Sequence, residues 1–152
     1  MIYLLLITLI VLSDQISKFF ILKYIPFGFS KAIVDNIVYI THVRNTGGAF
    51  SIFQGFKMIF LLIPIVVIVL LVWAIFFSKI SKYDKIAFSL ILGGALGNLI
   101  DRAFRGYVID FIDLKFWPVF NIADIFISTG IVLYAVIIIV ERRDGLFQKR
   151  KI

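Results

Sequence analysis

NIADIFISTGIVLYAVIIIV, residues 121–140, carries a single charge in twenty residues, that of Asp124. Wound as an α-helix, an apolar run of about twenty residues matches the hydrocarbon thickness of a bilayer, so this stretch reads as a membrane span. A carboxylate inside a span costs about 2.5–3.5 kcal/mol on insertion scales, which marks Asp124 as a functional residue by default. A second acid, Asp110, stands upstream in GYVIDFID, residues 106–113. Two carboxyls at one membrane mouth read as a pair that shares a proton.

Three further runs resemble the first. Residues 58–77 hold no charge and are interrupted only by Pro64, which a membrane helix tolerates when neighbours satisfy the freed carbonyl. Residues 86–102 are shorter in apolar content and end in Asp101 and Arg102. Residues 1–22 contain Asp14 and Lys18. A secretory signal peptide is the competing reading there, but MIYLLLITLI has no basic n-region and no small-x-small cleavage site follows it. The sequence thus predicts a membrane all-α fold: one integral membrane domain, a bundle of four transmembrane helices at about 1–22, 58–77, 86–102 and 121–140.

Composition agrees, since 62% of the residues are apolar. With no cysteine, disulfides, thiolate metal sites and a cysteine nucleophile are excluded. The one histidine, His42, cannot build a metal cluster, and neither a metal nor a cofactor is expected. A net charge of +7 could speak for nucleic acid, but no soluble basic domain exists to carry it, so the charge is read as topology. Eight of the sixteen basic residues crowd into residues 78–85 and 141–152, beside span ends; the other eight are spread over longer stretches and mixed with acids. Density puts both termini in the cytoplasm.

The connection over residues 24–57 is too long for a simple tie. Its middle, IVDNIVYITHVR, is rich in β-branched residues and alternates from Ile37 to Arg44 as a strand does. Asn45, Thr46, Gly47 and Gly48 follow as a turn, and AFSIF, residues 49–53, would return as its partner. A small extracytoplasmic β-sheet between spans 1 and 2 is therefore predicted. The connection over 103–120 ends in Phe116, Trp117, Pro118 and Phe120, aromatic residues suited to the membrane interface. In a four-span bundle all the unusual polar residues share one face: Asp14, Lys18, Arg44, Asn45, Asn98, Asp101, Arg102, Asp110, Asn121 and Asp124.

DQISK (14–18), VRNTGGAF (43–50), GGALGNLIDR (93–102), GYVIDFID (106–113) and FNIAD (120–124), in this order, resemble the motif series of lipoprotein signal peptidase, or signal peptidase II. That family is a bacterial membrane aspartyl protease that cuts prolipoproteins immediately before a diacylglyceryl-modified cysteine. The resemblance implies Asp110 and Asp124 as the catalytic aspartates. It further implies active-site support or substrate binding by Asp14, Lys18, Arg44, Asn45, Gly48, Asn98, Asp101, Arg102 and Asn121. The implied partners are a diacylglyceryl-modified prolipoprotein and membrane lipid. The implied location is the bacterial cell (inner) membrane, with the enzyme monomeric and its site near the outer face.

The residues read independently in the same direction. Two neighbouring carboxyls in a low-dielectric site share one proton, so the ionised member can activate water while the protonated one polarises a carbonyl. Several residues keep a plainer reading. Asp110 or Asp124 could pair with Arg102 or Arg105; Asp14 and Lys18, four apart on one helix face, could simply neutralise each other. Asn45 and Asn121 could bind substrate backbone or cap a turn and a helix, Asn121 being the better capper. Gly93 and Gly97 form a small-xxx-small step that serves close packing or leaves room for an extended peptide. Asp113 reads as solvated, and Ser17 beside Lys18 does not amount to a Ser/Lys dyad. A proton-coupled transporter or channel would need ionisable groups through the midplane, yet residues 58–77 have none and residues 125–140 have none. A non-catalytic assembly protein leaves the paired acids without a purpose.

Overall fold

The computed structural model describes residues 1–46 and 57–149. In chain order these form α1 (Ile2–Tyr24), β1 (Ser30–Val34), β2 (Val38–Asn45), α2 (Lys57–Phe77), α3 (Lys82–Arg105), β3 (Val108–Asp113) and α4 (Ile122–Lys149). Each helix encloses one of the apolar runs found in the sequence. Among the described residues three of them, α1, α3 and the 122–141 part of α4, are long and apolar enough to cross a membrane; within α2 the apolar helix described is 61–77.

The helices extend beyond the apolar runs, and their ends explain how far. Helix α3 starts four residues before the expected 86 because Ser81 and Asp84 close a reciprocal capping box at 3.1 Å each, which tolerates the charged first turn. It stops at Gly106, whose φ of 79° is the left-handed conformation that ends helices, with the Gly106 N–H bonded back to Arg102 O. Helix α4 runs nine residues past the expected 140, through the charged segment that an apolar count leaves out.

Helix α3 is the hub, packing against α1, α2 and α4. Its small residues make that possible. A Cβ on Gly94 would collide with the backbone carbonyl of Ala123 in α4, and one on Gly97 would lie 2.5 Å from the Asp14 carboxylate of α1. Close packing is therefore what the small-residue step serves at Gly97. Ile7, Ile75 and Leu92 form one buried cluster between helices. The surface is the reverse of a soluble protein's: Leu62, Val69, Ile131, Val132 and Ile139 lie half or more exposed, as helices facing lipid require.

The sheet has the order β1-β2-β3, both pairings antiparallel. The expected strand through Tyr39 and Val43 is present as β2, but its partners correct the sequence reading. One neighbour, β1, precedes it and turns through Asn36 at φ 60°; the other, β3, comes from the connection between α3 and α4. The expected return strand, 49–53, lies outside the described residues. A sheet drawn from one connection alone is thus not what forms, because β3 offers Ile109 and Phe111 to bury against Ile21 of α1, which a solvent-facing hairpin could not. His42, buried on β2, donates from Nδ1 to the carbonyl of Ile25 at 2.8 Å and ties the sheet to the end of α1.

After β3 the chain doubles back. Phe120 exchanges hydrogen bonds with Ile112 at 3.0 and 2.8 Å, closing the loop over 114–119 and delivering Asn121 beside Asp110. Because Ala123 abuts Gly94, the packing of α3 on α4 sets where this delivery ends. Gly94→Ala is expected to lower stability by about 1–3 kcal/mol through overpacking, read as a lower melting temperature of the detergent-solubilised protein. A variant melting with the parent would show that the two helices are not held at contact.

Candidate active site

Helix α4 begins with a reciprocal cap. The Asp124 N–H donates to Asn121 Oδ1 at 3.0 Å, and the Asn121 N–H donates to Asp124 Oδ2 at 3.2 Å. Asn121 is the helix cap that its position in the sequence implied. Its amide nitrogen does more, donating to Asp110 Oδ1 at 2.6 Å and to Asn98 Oδ1 at 3.0 Å. Asn98 in turn donates through Nδ2 to Asp124 Oδ1 at 2.8 Å. Two asparagines therefore bridge the two acids, one from β3 and one from the start of α4.

Asp110 is 2% exposed, and both its oxygens accept amide donors, the second from Asn45 Nδ2 at 2.9 Å. Burial pushes its carboxyl up to about 6, and the neighbouring Asp124 adds to that; the amides of Asn45 and Asn121 and the charge of Lys18 pull the other way. Such a group changes charge near neutral pH. Asp124 is half-buried and forms part of the wall of two apolar grooves. One, of about 310 Å³, is lined by Pro64, Val67, Ala95, Asn98, Arg102 and Ile127; the other, of about 380 Å³, by Phe116, Trp117, Phe120, Ile125, Ser128 and Thr129.

Behind the acids lies a buried charge cluster. Lys18 Nζ meets Asp14 Oδ2 at 2.8 Å, Asp101 Oδ2 at 2.9 Å and Asn98 Oδ1 at 3.0 Å, using all three of its donors; the lysine and both aspartates are fully buried. The pairing of Asp14 with Lys18 is thus real, with Asp101 as a third member that the i,i+4 spacing did not announce. Asp14 Oδ1 accepts the Ala123 N–H at 3.0 Å, and Asp101 Oδ2 accepts the Ile109 N–H at 3.1 Å. These are the backbone groups immediately before Asp124 and Asp110.

Of the residues singled out in the sequence, Asp14, Lys18, Asn45, Asn98, Asp101, Asp110, Asn121 and Asp124 join one hydrogen-bonded network, and Arg102 lines the groove beside it. Arg44 does not join by any bond described; its guanidinium stacks on Phe27 at 4.6 Å and Tyr107 at 5.0 Å. Gly48 lies outside the described residues. Asp113 corrects the expectation of a solvated acid: it is 7% exposed, takes Thr41 Oγ1 at 2.9 Å, and pairs with Lys115, which holds its carboxyl below the usual carboxylate range. Missed altogether was Gln15, whose amide reaches Gly97 O at 3.0 Å and both Asp14 and Asp101; Arg105, weighed as a partner of Asp110 or Asp124, instead meets Asp101 at 2.5 Å. The i,i+4 spacing of Asp101 and Arg105 carried that signal; nothing in the sequence pointed to Gln15.

The chain matches a family model described as signal peptidase (SPase) II over residues 6–140. It is similar to a lipoprotein signal peptidase of Caldicellulosiruptor bescii, 47% identical over 78% of this chain and 79% of that one. It is also similar to a lipoprotein signal peptidase of Syntrophomonas wolfei, 41% identical over 88% and 89% respectively. Two solved bacterial membrane enzymes share its fold. One has a TM-score of 0.85 at 32% identity, covering 93% of this chain and 90% of that one; the other a TM-score of 0.82 at 33% identity, covering 90% and 91%.

The amide contacts to Asp110 have a measurable consequence. Asn45 donates to the ionised carboxylate and so favours it; without that donor the proton is held to higher pH. In Asn45→Ala the Asp110 carboxyl, followed by carbon NMR, is expected to titrate about one pH unit above its parent value. An unchanged or lower midpoint would show that Asn45 does not stabilise the charged form.

Proposed function

This chain belongs to the signal peptidase II family, and from that premise we propose that Asp110 and Asp124 are the catalytic pair with which it works. The protein is a membrane aspartic endopeptidase that removes signal peptides from prolipoproteins. One observation supports the assignment above the others: two carboxyls, supplied by β3 and by the first turn of α4, are bridged by the Asn98 and Asn121 amides where two apolar grooves meet.

In the proposed reaction the ionised carboxyl takes a proton from water as the water oxygen bonds to the scissile carbonyl carbon. The protonated carboxyl donates its proton to the carbonyl oxygen. When the tetrahedral intermediate collapses, the C–N bond breaks, the leaving amine takes up a proton from the carboxyl that received it from water, and a hydroxyl proton of the intermediate passes to the other carboxylate, so the carbonyl re-forms and the pair again holds one proton. The two acids titrate as a unit, so the roles belong to the pair and not to either residue. The cut falls before a diacylglyceryl-modified cysteine, its acyl chains remaining in lipid while a short extended peptide segment enters between helices. The apolar lining of both grooves suits that division.

Asn45, Asn98 and Asn121 hold the carboxyls, and Arg102, beside Asp124 in the groove, is placed to meet substrate backbone or headgroup. Asp14, Lys18 and Asp101 support them from behind, and Arg44 and Gly48, in the VRNTGGAF motif, are assigned to active-site support or substrate binding by the resemblance alone. The enzyme is read as a monomer of one domain with four spans, both termini in the cytoplasm and the site near the outer face. The dense basic segments 78–85 and 141–152 are the reason for that orientation.

Asp110→Asn and Asp124→Asn should each lower cleavage of a diacylglyceryl-modified prolipoprotein by about 10,000-fold or more while leaving the protein folded, since asparagine cannot shuttle the proton. Asp113→Asn, at an acid paired to Lys115 and outside the network of Asp110 and Asp124, should retain substantial activity, and unmodified prolipoprotein should be a poor substrate of the parent. Near-normal turnover by Asp124→Asn, or a dead Asp113→Asn, would sink the assigned pair. For the orientation, cysteines introduced at Ser81 and Asp35 provide the check in intact cells. A membrane-impermeant thiol reagent should label position 35 and spare position 81; the opposite pattern inverts the topology.

A further inference from the structure

Lys18 has no substrate to meet. It is fully buried behind the acids, and its three partners all lead towards them. Asp14 grips the N–H of Ala123, next to Asp124; Asp101 grips the N–H of Ile109, next to Asp110. The third arm runs to Asn98 Oδ1. An asparagine amide can face either way, and an ammonium has no acceptor, so Lys18 at 3.0 Å compels the oxygen of Asn98 to face it. The nitrogen of Asn98 must then point at Asp124, 2.8 Å away. The same oxygen also accepts from Asn121 Nδ2, which continues to Asp110. The amide polarity at both acids is thereby set from one cation.

We propose that Lys18 is a positioning residue for the Asp110 and Asp124 pair: through Asn98 it orients the amide donors onto both carboxyls, and it supplies the positive charge behind them. Other charges that bear on the site are accounted for. From α1 comes Asp14, already bonded to Lys18; from α3 come Asp101, shared by Lys18 and Arg105, and Arg102, which lines the groove. Arg44 of β2 is stacked on Phe27 and Tyr107, Asp113 is bonded to Lys115, and residues 61–77 of α2 carry no charge. Hydrogen bonds in a low-dielectric interior polarise one another, so a donor chain that starts at an ammonium favours negative charge at its end. Asp110 feels Lys18 in the direction this requires.

This inference rests on the proposed catalytic pair, and the test separates the two. Lys18→Met alone strands Asp14 as an unpaired buried acid, so the informative variant is Lys18→Met with Asp14→Asn, which keeps the cluster neutral. With a diacylglyceryl-modified prolipopeptide as substrate, kcat should fall about 10- to 100-fold with KM nearly unchanged. The acid limb of the pH profile should also move up by about one pH unit, which a merely structural role would not produce. Asn98→Ala, which leaves both ion pairs of Lys18 intact, should move the limb in the same direction. Combining it with the double substitution should add little. If the double variant does not fold, Lys18→Gln with Asp14→Asn, which refills the buried site with neutral polar groups, takes its place, and the acid limb should move in the same direction. A pH profile coincident with the parent's in the folded variants overturns the proposal. If Asp110→Asn or Asp124→Asn, assayed beside them, keeps turnover, the catalytic assignment falls and takes this inference with it. If both are dead while the limb stays put, only this inference falls.

Discussion

The ammonium of Lys18 is the constraint on which the remainder of the site depends. A fully buried cation is tolerable only when its charge is matched and every donor is used, and here two carboxylates and an amide oxygen do both. Satisfying the lysine obliges α1 and α3 to meet at one height. The carboxylates that satisfy it then have lone pairs to spare, and these capture the N–H groups of Ala123 and Ile109. Removing one partner would leave a buried charge without compensation, so the cluster is stable only as a whole.

The hydrogen bond that Asp14 makes to Ala123 solves two problems at once. The first N–H groups of α4 have no acceptor inside their own helix, and in a membrane protein little water is present to take them. Asn121 satisfies the donor of Asp124, and Asp14 reaches from another helix to satisfy that of Ala123. This reach is short because Gly94 and Gly97 bring α3 close to both neighbours. The glycines that permit packing thereby also set the position of Asp124.

Strand β3 extends the same logic to Asp110. On a free loop, the carboxyl would be hydrated and would ionise as an ordinary aspartate. On a strand paired to β2 and packed on Ile21 through Ile109 and Phe111, it is drawn out of water, and the amides of Asn45 and Asn121 together with the charge of Lys18 offset the cost of its charge. Burial and amide donors oppose one another at this carboxyl. Their balance leaves it raised to about 6, so that it keeps a proton to higher pH than an ordinary aspartate does.

The sequence by itself determined the membrane character and the approximate extent of the helices, and it singled out the two acids that the structure brings into one network. Those features are local: a count of apolar residues, a cap at Asn121, a pair at Asp14 and Lys18 separated by one helical turn. Motifs in a recognisable order extended this to the family, and eight of the singled-out residues do share one network. The tertiary structure decided the partnerships between distant residues. Nothing local tells β2 to pair with a strand some seventy residues later, or tells Gln15 to join the charge cluster. Asp113 is the clearest case, since its cover comes from Thr41 across the sheet and from Lys115 after a turn with φ 64°. Side-chain polarity is written in the sequence, but burial and hydrogen-bond direction depend on which segments are brought together, and that is settled by packing.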